Sequence, residues 1–269
     1  MIRIEQVDMI FGVGTPDENA ALTHINLTVN PGDFVTVIGS NGAGKSTLYN
    51  VIAGSYPPTK GRIFLTNEEN KPDREITREA EYKRARYIGR IFQNPLLGTA
   101  GKMTLADNMM LCHKKGYKGL TISLNKRMRE QFRERLRSLD MGLENRLNDN
   151  VELFSGGQRQ ALTLLMTVMS GPSLLLLDEH TAALDPRNAE IIMNLTLRFA
   201  AEHRLTVMMI THNMSHALEY GNRLLMMDAG AIILDIDAPE KSKLTADGIV
   251  QRFRDIKHRD IASDKLLLT

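Results

Sequence analysis

Residues 33–54 read DFVTVIGSNGAGKSTLYNVIAG. The apolar run Phe34 to Ile38 ends at Gly39, a glycine-rich loop follows, and a helix-compatible segment closes at Gly54. That order of strand, loop and helix is the setting the pattern G-x-x-x-x-G-K-[ST] requires, and the loop matches the pattern from Gly39 to Ser46. Glycines let the backbone curl into a nest whose N–H groups point at phosphate oxygens. The helix that follows turns its positive end to the same charge. Lys45 is predicted to reach the β- and γ-phosphates of a nucleotide, and Ser46 to place its hydroxyl on Mg²⁺. Gly39, Ser40, Asn41, Gly42, Ala43, Gly44, Lys45, Ser46 and Thr47 are therefore the first candidate ATP contacts. A chance glycine-rich turn is the competing reading, and the flanking elements argue against it.

Three later stretches complete the pattern. SLLLLDEH at 173–180 reads as a buried strand that delivers Asp178 to a Mg²⁺ shell and Glu179 to water. Alone, an acidic pair after leucines is often only a strand end. LTVMMITHN at 205–213 is a second such strand, ending near His212. In ELFSGGQRQALTLLM, residues 152–166, Ser155 suits a helix N-cap, and Gly156 and Gly157 permit close backbone approach before Gln158. MIRIEQV and INLTV alternate like half-buried strands, and GNRLLMMDAGAIILDI reads as a hairpin turning at Asp228–Gly230.

Composition narrows the class. The chain has 269 residues and a net charge of only +2, which gives no strong field for nucleic acid. Its one cysteine, Cys112, excludes an internal disulfide and a cysteine zinc cluster. The longest apolar stretch, Ala161 to Leu177, is broken by Gly171-Pro172 and falls short of a membrane span. MIRIEQVDMIF has no secretory h-region. A soluble chain that meets a membrane through a partner is expected.

SGGQRQ ahead of LLLLDEHTAALDP resembles the ABC-type ATPases, and the likeness extends over roughly residues 1 to 235. The resemblance implies an α/β P-loop NTPase fold with an antiparallel β subdomain and a helical subdomain. It divides the chain into an ATP-binding core at 1–93 and 171–235, a helical part at 94–170, and a short helical tail at 236–269. It also implies a dimer in which each Mg·ATP lies between one subunit's Lys45 loop and the other's Ser155, Gly156, Gly157 and Gln158. Phe11 stands where an aromatic residue stacks on adenine. Gln93, in IFQNP, matches a glutamine that touches Mg²⁺ and water and links to the membrane domain. Asp185 matches the loop that crosses the dimer interface, and His212 the histidine at the γ-phosphate. The implied partners are a permease subunit, a second ATPase subunit (a homodimer being favoured) and a solute-binding protein, at the cytoplasmic face of the membrane. The wording GTAGKMTLADNM and THNMSHALEYGNRLLMM resembles importers of the amino-acid type.

Departures from the family pattern are Phe154 for leucine, His180 for proline and Ala182 for serine. They are expected to alter packing between Glu179 and Asp185 and so the rate. An ATPase acting on DNA or ribosomes is the alternative, but the chain lacks fused ATPase units and long coiled-coil insertions. An exporter ATPase is a third option. Residues 66–75, TNEENKPDRE, read as a polar loop, and Asn70-Lys71-Pro72-Asp73 within it matches N-K-x-D but reads as a polar turn, because it precedes the Asp178 strand. His212 and His216 lack a third metal ligand nearby, and the methionine pairs at 208–209 and 226–227 read as core. The basic helix predicted at 123–138 has an apolar stripe of Leu124, Met128, Phe132 and Leu136 and a solvated face.

Overall fold

The structure is a computed structural model that describes residues 2–66, 73–113 and 124–267, with side chains through 256. Of the polar turn expected at 70–73, residues 70–72 lie outside the described residues. The first elements in chain order are β1 (Ile2–Phe11), β2 (Asn19–Val29), β3 (Phe34–Gly39), α1 (Lys45–Ala53), β4 (Lys60–Leu65), β5 (Arg74–Glu75), α2 (Glu81–Arg84) and β6 (Ile88–Ile91). Then come α3 (Leu105–His113), α4 (Lys126–Arg137), α5 (Gly156–Met169), β7 (Leu174–Asp178), α6 (Pro186–Glu202), β8 (Thr206–Ile210) and α7 (Met214–Glu219). The chain closes with β9 (Arg223–Asp228), β10 (Ala231–Ile236), α8 (Ala238–Lys241) and α9 (Ala246–Leu267).

Two sheets result. One is antiparallel, in the order β2-β1-β4-β5. The other runs β10-β9-β3-β8-β7-β6, parallel except for the β9–β10 hairpin. Strand β5 corrects the reading of 66–75 as loop throughout: Arg74 and Glu75 pair with Leu65 and Phe64. Two residues carry no periodicity from which a strand could be read.

Strands β7 and β8 are apolar from Leu174 to Leu177 and from Val207 to Ile210 because both faces are buried. Leu175, Leu177, Val207 and Met209 face a core built with helices α3 to α6. Leu174, Leu176, Met208 and Ile210 face the opposite core, built with α1 and the antiparallel sheet. The methionines at 208, 209, 226 and 227 are all buried, as read. Helix α4 starts at Lys126, capped by Asn125, so Leu124 precedes the expected stripe, although it still packs on the core. The tail joins the body through Ile249, buried against Ile38 and Met226.

Register positions the site. Ile91 pairs with Leu177 and Leu177 with Met209, while Ile210 pairs with both Val37 and Asp178. The carboxyl ends of β6, β7, β8 and β3 therefore lie side by side. They release Gln93, Glu179, His212 and the Gly39 loop at one edge, the position where open α/β sheets bind ligands.

Candidate functional site

The loop after β3 needs its glycines for particular reasons. A Cβ on Gly39 would lie 2.2 Å from the Met227 carbonyl oxygen, and one on Gly44 would lie 2.6 Å from that of Ala21. Gly44 also has φ 94°, the left-handed region, as it opens α1. Lys45 curls back over this loop and is only 6% exposed. Its Nζ donates to the carbonyls of Gly39 and Ser40, both at 2.8 Å. Burial pushes the ammonium pKa down, and the charges of Glu179 and Asp178 oppose that. Lys45→Ala is expected to weaken ATP binding by about 10²-fold or more, since it removes the charge-assisted donor of the loop. Wild-type affinity in a nucleotide titration would refute the assignment.

Asp178 ends β7 beside α1. Ser46 Oγ lies 3.3 Å from Asp178 Oδ1. Burial raises the Asp178 pKa, opposed by Arg90, Ser46 and Lys45. The donor set suits Mg²⁺. The Ser46 hydroxyl and the Asp178 carboxylate are hard oxygen donors of the kind Mg²⁺ takes.

Glu179 turns out of the strand with φ 48°. Its Oε1 lies 2.5 Å from His212 Nε2. Gln93, two residues beyond β6, is exposed at the same edge. Phe11 ends β1 and stands edge-on to Tyr56, with centroids 5.4 Å apart.

The Ser155 turn forms a complete capping box. Ser155 Oγ accepts from the Gln158 backbone N–H, and Gln158 Oε1 accepts from that of Ser155. A Cβ on Gly157 would lie 2.7 Å from Asn188 Oδ1, and one on Gly156 would lie 3.5 Å from Leu184. Gly157 thus has a reason within its own chain, close packing on the start of α6. Asp185 caps that helix by accepting from the backbone N–H of Asn188; the Asn188 side-chain amide, which donates to the other carboxylate oxygen at 2.5 Å, and then this backbone bond hold its carboxyl below the usual range. Ser155 and Gly156 are exposed.

The departures from the family pattern face inward, with one exception. Phe154 is buried, with the Arg146 guanidinium 4.5 Å above its ring. His180 is buried against Thr196, and Ala182 is exposed. Burial, then the His216 charge, push the His180 pKa down to about 4 from 6.5. A histidine held neutral stabilises the fold above pH 6.5, and that contribution is lost as pH falls toward 4. The fall should approach about 3 kcal/mol over that interval. Urea titrations at several pH values should show a shallower fall in His180→Gln; identical slopes would exclude His180 as the source.

Sequence reasoning missed four residues. Arg90 reaches Asp178 at 3.7 Å and Asn50 at 2.6 Å. Its signal was an arginine inside the short apolar strand IGRI. Gln160 sits fully buried in α5, a polar side chain on a face shared with Gly157. Tyr56 and Arg84 carried no local signal.

A glycine-rich loop between a parallel strand and a helix, with a strand-end aspartate against its serine, defines a P-loop nucleoside triphosphatase. The family model described as ABC transporter matches residues 22–182. The chain belongs to that family and is an ATP-binding subunit with the fold of an ABC ATPase.

A tyrosine transport ATP-binding protein of Clostridioides difficile (strain R20291) is 38% identical over 94% of this chain and 98% of its own. A phosphonates import ATP-binding protein, PhnC of Alcaligenes faecalis, is 33% identical over 87% of this chain and 82% of its own. Among solved structures, the ATP-binding cassette MJ1267 in its ADP conformation superposes with TM-score 0.74 at 27% identity, covering 94% of this chain and 97% of that one. The dimeric cassette MJ0796 gives 0.72 at 28%, covering 88% and 99%.

Proposed function

We propose that this chain hydrolyses ATP to power import of a small solute, an amino acid such as tyrosine, through a separate permease at the cytoplasmic face of the membrane. The observation that carries the hydrolytic part is the pairing of Glu179 with His212 at 2.5 Å beside a loop whose Ser46 meets Asp178 at 3.3 Å. Glu179 polarises the attacking water, and His212 orients the carboxylate at the γ-phosphate side. Ser46, Asp178 and Gln93 would hold Mg²⁺, which would neutralise charge on the phosphate oxygens. Phe11 stacks on adenine. The regions 1–93 with 171–235, and 94–170, are the core and helical parts of this machine.

The second half of each site comes from a second copy, through Ser155, Gly156, Gly157, Gln158 and Asp185. The exposed Ser155 turn supports this, as does the dimeric form of the MJ0796 cassette. Phosphates that touch both subunits only in the closed dimer make ATP binding favour closure. Mixing Ser155→Arg with Lys45→Ala chains should restore one composite site and yield more hydrolysis than either parent. A mixture no better than its parents would contradict the shared site.

For the permease, the surface 93–111 supports docking. Leu96, Leu97 and Leu111 are 57%, 65% and 56% exposed, beside a groove of about 290 Å³ that Gly98 and Thr163 help to line. A solute-binding protein completes the importer. The amino-acid reading rests on the 38% identity to the tyrosine transport relative, above the 33% of the phosphonate one. Uptake of labelled tyrosine and of 2-aminoethylphosphonate, in cells with and without the gene, tests it. Loss of tyrosine uptake supports the reading, and loss of phosphonate uptake alone replaces it.

A further inference from the structure

Glu179 has a backbone that its neighbours must enforce. At φ 48° a residue with a Cβ is strained, and such a conformation persists only where the surroundings over-determine it. The next residue, His180, is held at both ends. Its backbone carbonyl accepts from Gln160 Nε2 at 2.7 Å. Its ring Nε2 lies 3.1 Å from Thr196 Oγ1. Thr196 donates its hydroxyl proton to the Ile192 carbonyl at 2.8 Å. The oxygen is therefore the acceptor toward His180, which fixes the neutral ring with its proton on Nε2.

Gln160 does more than hold residue 180. The same Nε2 also donates to the Phe92 carbonyl, one residue before Gln93, at 3.3 Å. Its Oε1 is buried with no partner among the described residues. Two carbonyls facing one end of the amide decide its orientation, since a flip would set three oxygens together. Gln160, Thr196 and His180 are at most 2% exposed, so the whole arrangement is buried. Gln160 lies five residues beyond Ser155 on the same helix, about 7.5 Å along its axis. A proline at position 180 would keep the carbonyl but supply no ring nitrogen for α6.

We propose that Gln160, His180 and Thr196 form a buried clamp that positions Glu179, tying the catalytic carboxylate to α5 and α6. They are positioning residues: each acts on Glu179 through residue 180, Gln160 at its carbonyl and Thr196 at its ring. The inference rests on Glu179 being the residue that polarises water. It gives His180 a specific task, and it connects the helix that begins at the Ser155 turn to both Glu179 and Gln93.

The test uses the full chain with Mg·ATP. Thr196→Val keeps the shape and removes the acceptor for His180, and Gln160→Met removes both amide donors. Each should lower kcat by about 10- to 100-fold, as misplacement of a reacting group does, with the KM for ATP within about threefold of the parent. Thr196→Ser, which keeps the hydroxyl, should restore kcat. In a Glu179→Gln background, Thr196→Val should add no further loss, because both changes act on one group. If Thr196→Val does not fold, Gln160→Met carries the same comparison.

Parent turnover in the folded variants, with Glu179→Gln inactive, overturns the clamp and leaves the role of Glu179 standing. An equal further loss in the Glu179→Gln background also overturns it. Full turnover in Glu179→Gln overturns both readings.

Discussion

Glu179→Gln is expected to lower ATP hydrolysis by about 10²- to 10⁴-fold, the usual contribution of a positioned general base, with ATP affinity within about threefold of the parent. The amide has nearly the shape of the carboxylate, so the fold around it is kept. What it loses is the charge that draws a proton from water and pairs with His212 Nε2 at 2.5 Å. The Glu179 side chain is 14% exposed, so its charge acts in a poorly screened setting. Because Lys45, Ser46 and the loop amides remain, nucleotide should accumulate bound and uncleaved, and the closed dimer with it. Single-turnover hydrolysis and sedimentation with ATP read these two effects. Steady-state turnover near the parent rate would remove Glu179 from the chemistry.

Arg84→Met is expected to cost about 3–5 kcal/mol of folding stability, far from any reacting group. Arg84 is 1% exposed and spends its guanidinium entirely on backbone carbonyls. Its Nη1 donates to Val51 and Ile52 at 2.8 Å, its Nε to Glu79 at 2.9 Å and its Nη2 to Thr77 at 2.9 Å. Val51 and Ile52 belong to the last turn of α1, where helix carbonyls lack partners and a positive charge meets the negative end of the helix. Methionine would leave the carbonyls of Ile52, Thr77 and Glu79 without this donor, each worth about 1–3 kcal/mol, while Val51 keeps the Gly54 N–H at 3.3 Å. Relief of the guanidinium's burial, which pushes its pKa down to about 10, offsets part of that. In a chain of 269 residues the net loss corresponds to a melting temperature lower by about 6–15 °C. Arg84→Lys should recover only part of it, because an ammonium cannot span four carbonyls as the planar fork does. A shift under about 2 °C for Arg84→Met would show that the four bonds contribute nothing net.

Together these predictions separate the residues that react from those that hold α1 in place. Lys45 and Ser46 open that helix, and Arg84 closes its other end. A loss of stability without loss of turnover per folded molecule would mark Arg84 as purely architectural. Glu179→Gln should show the reverse.

Much of the site was legible in the chain because its chemistry is local. A phosphate nest needs glycines, lysine and serine within a few residues of one strand end, so the loop at 39–47 could be read without a fold. Asp178 and Glu179 were legible because a buried parallel strand is a continuous apolar run, and the polar residue that ends it marks the carboxyl edge. His212 followed by the same logic on β8. The reading of 66–75 as loop failed at β5, whose two residues pair with β4 through contacts that no pattern encodes. Arg84, Arg90 and Gln160 escaped because a polar side chain in sequence is exposed by default, and only the packed neighbours reveal what each meets. Tyr56 is exposed and meets Phe11 through a contact between distant segments.

The sequence by itself determined the phosphate loop and the polar residues that follow the apolar runs of β7 and β8. Short-range backbone sterics and hydrophobic periodicity act within a few residues. Tertiary structure alone decided the strand order β9-β3-β8-β7-β6 that sets Lys45, His212, Glu179 and Gln93 along one edge. It also decided that Gly157 packs on Asn188 and that Gln160 and Thr196 meet at His180. The two pairings at His180 join residues 20 and 16 apart in the chain. They form only when burial of both sheet faces brings the segments together and makes each unpaired polar group costly.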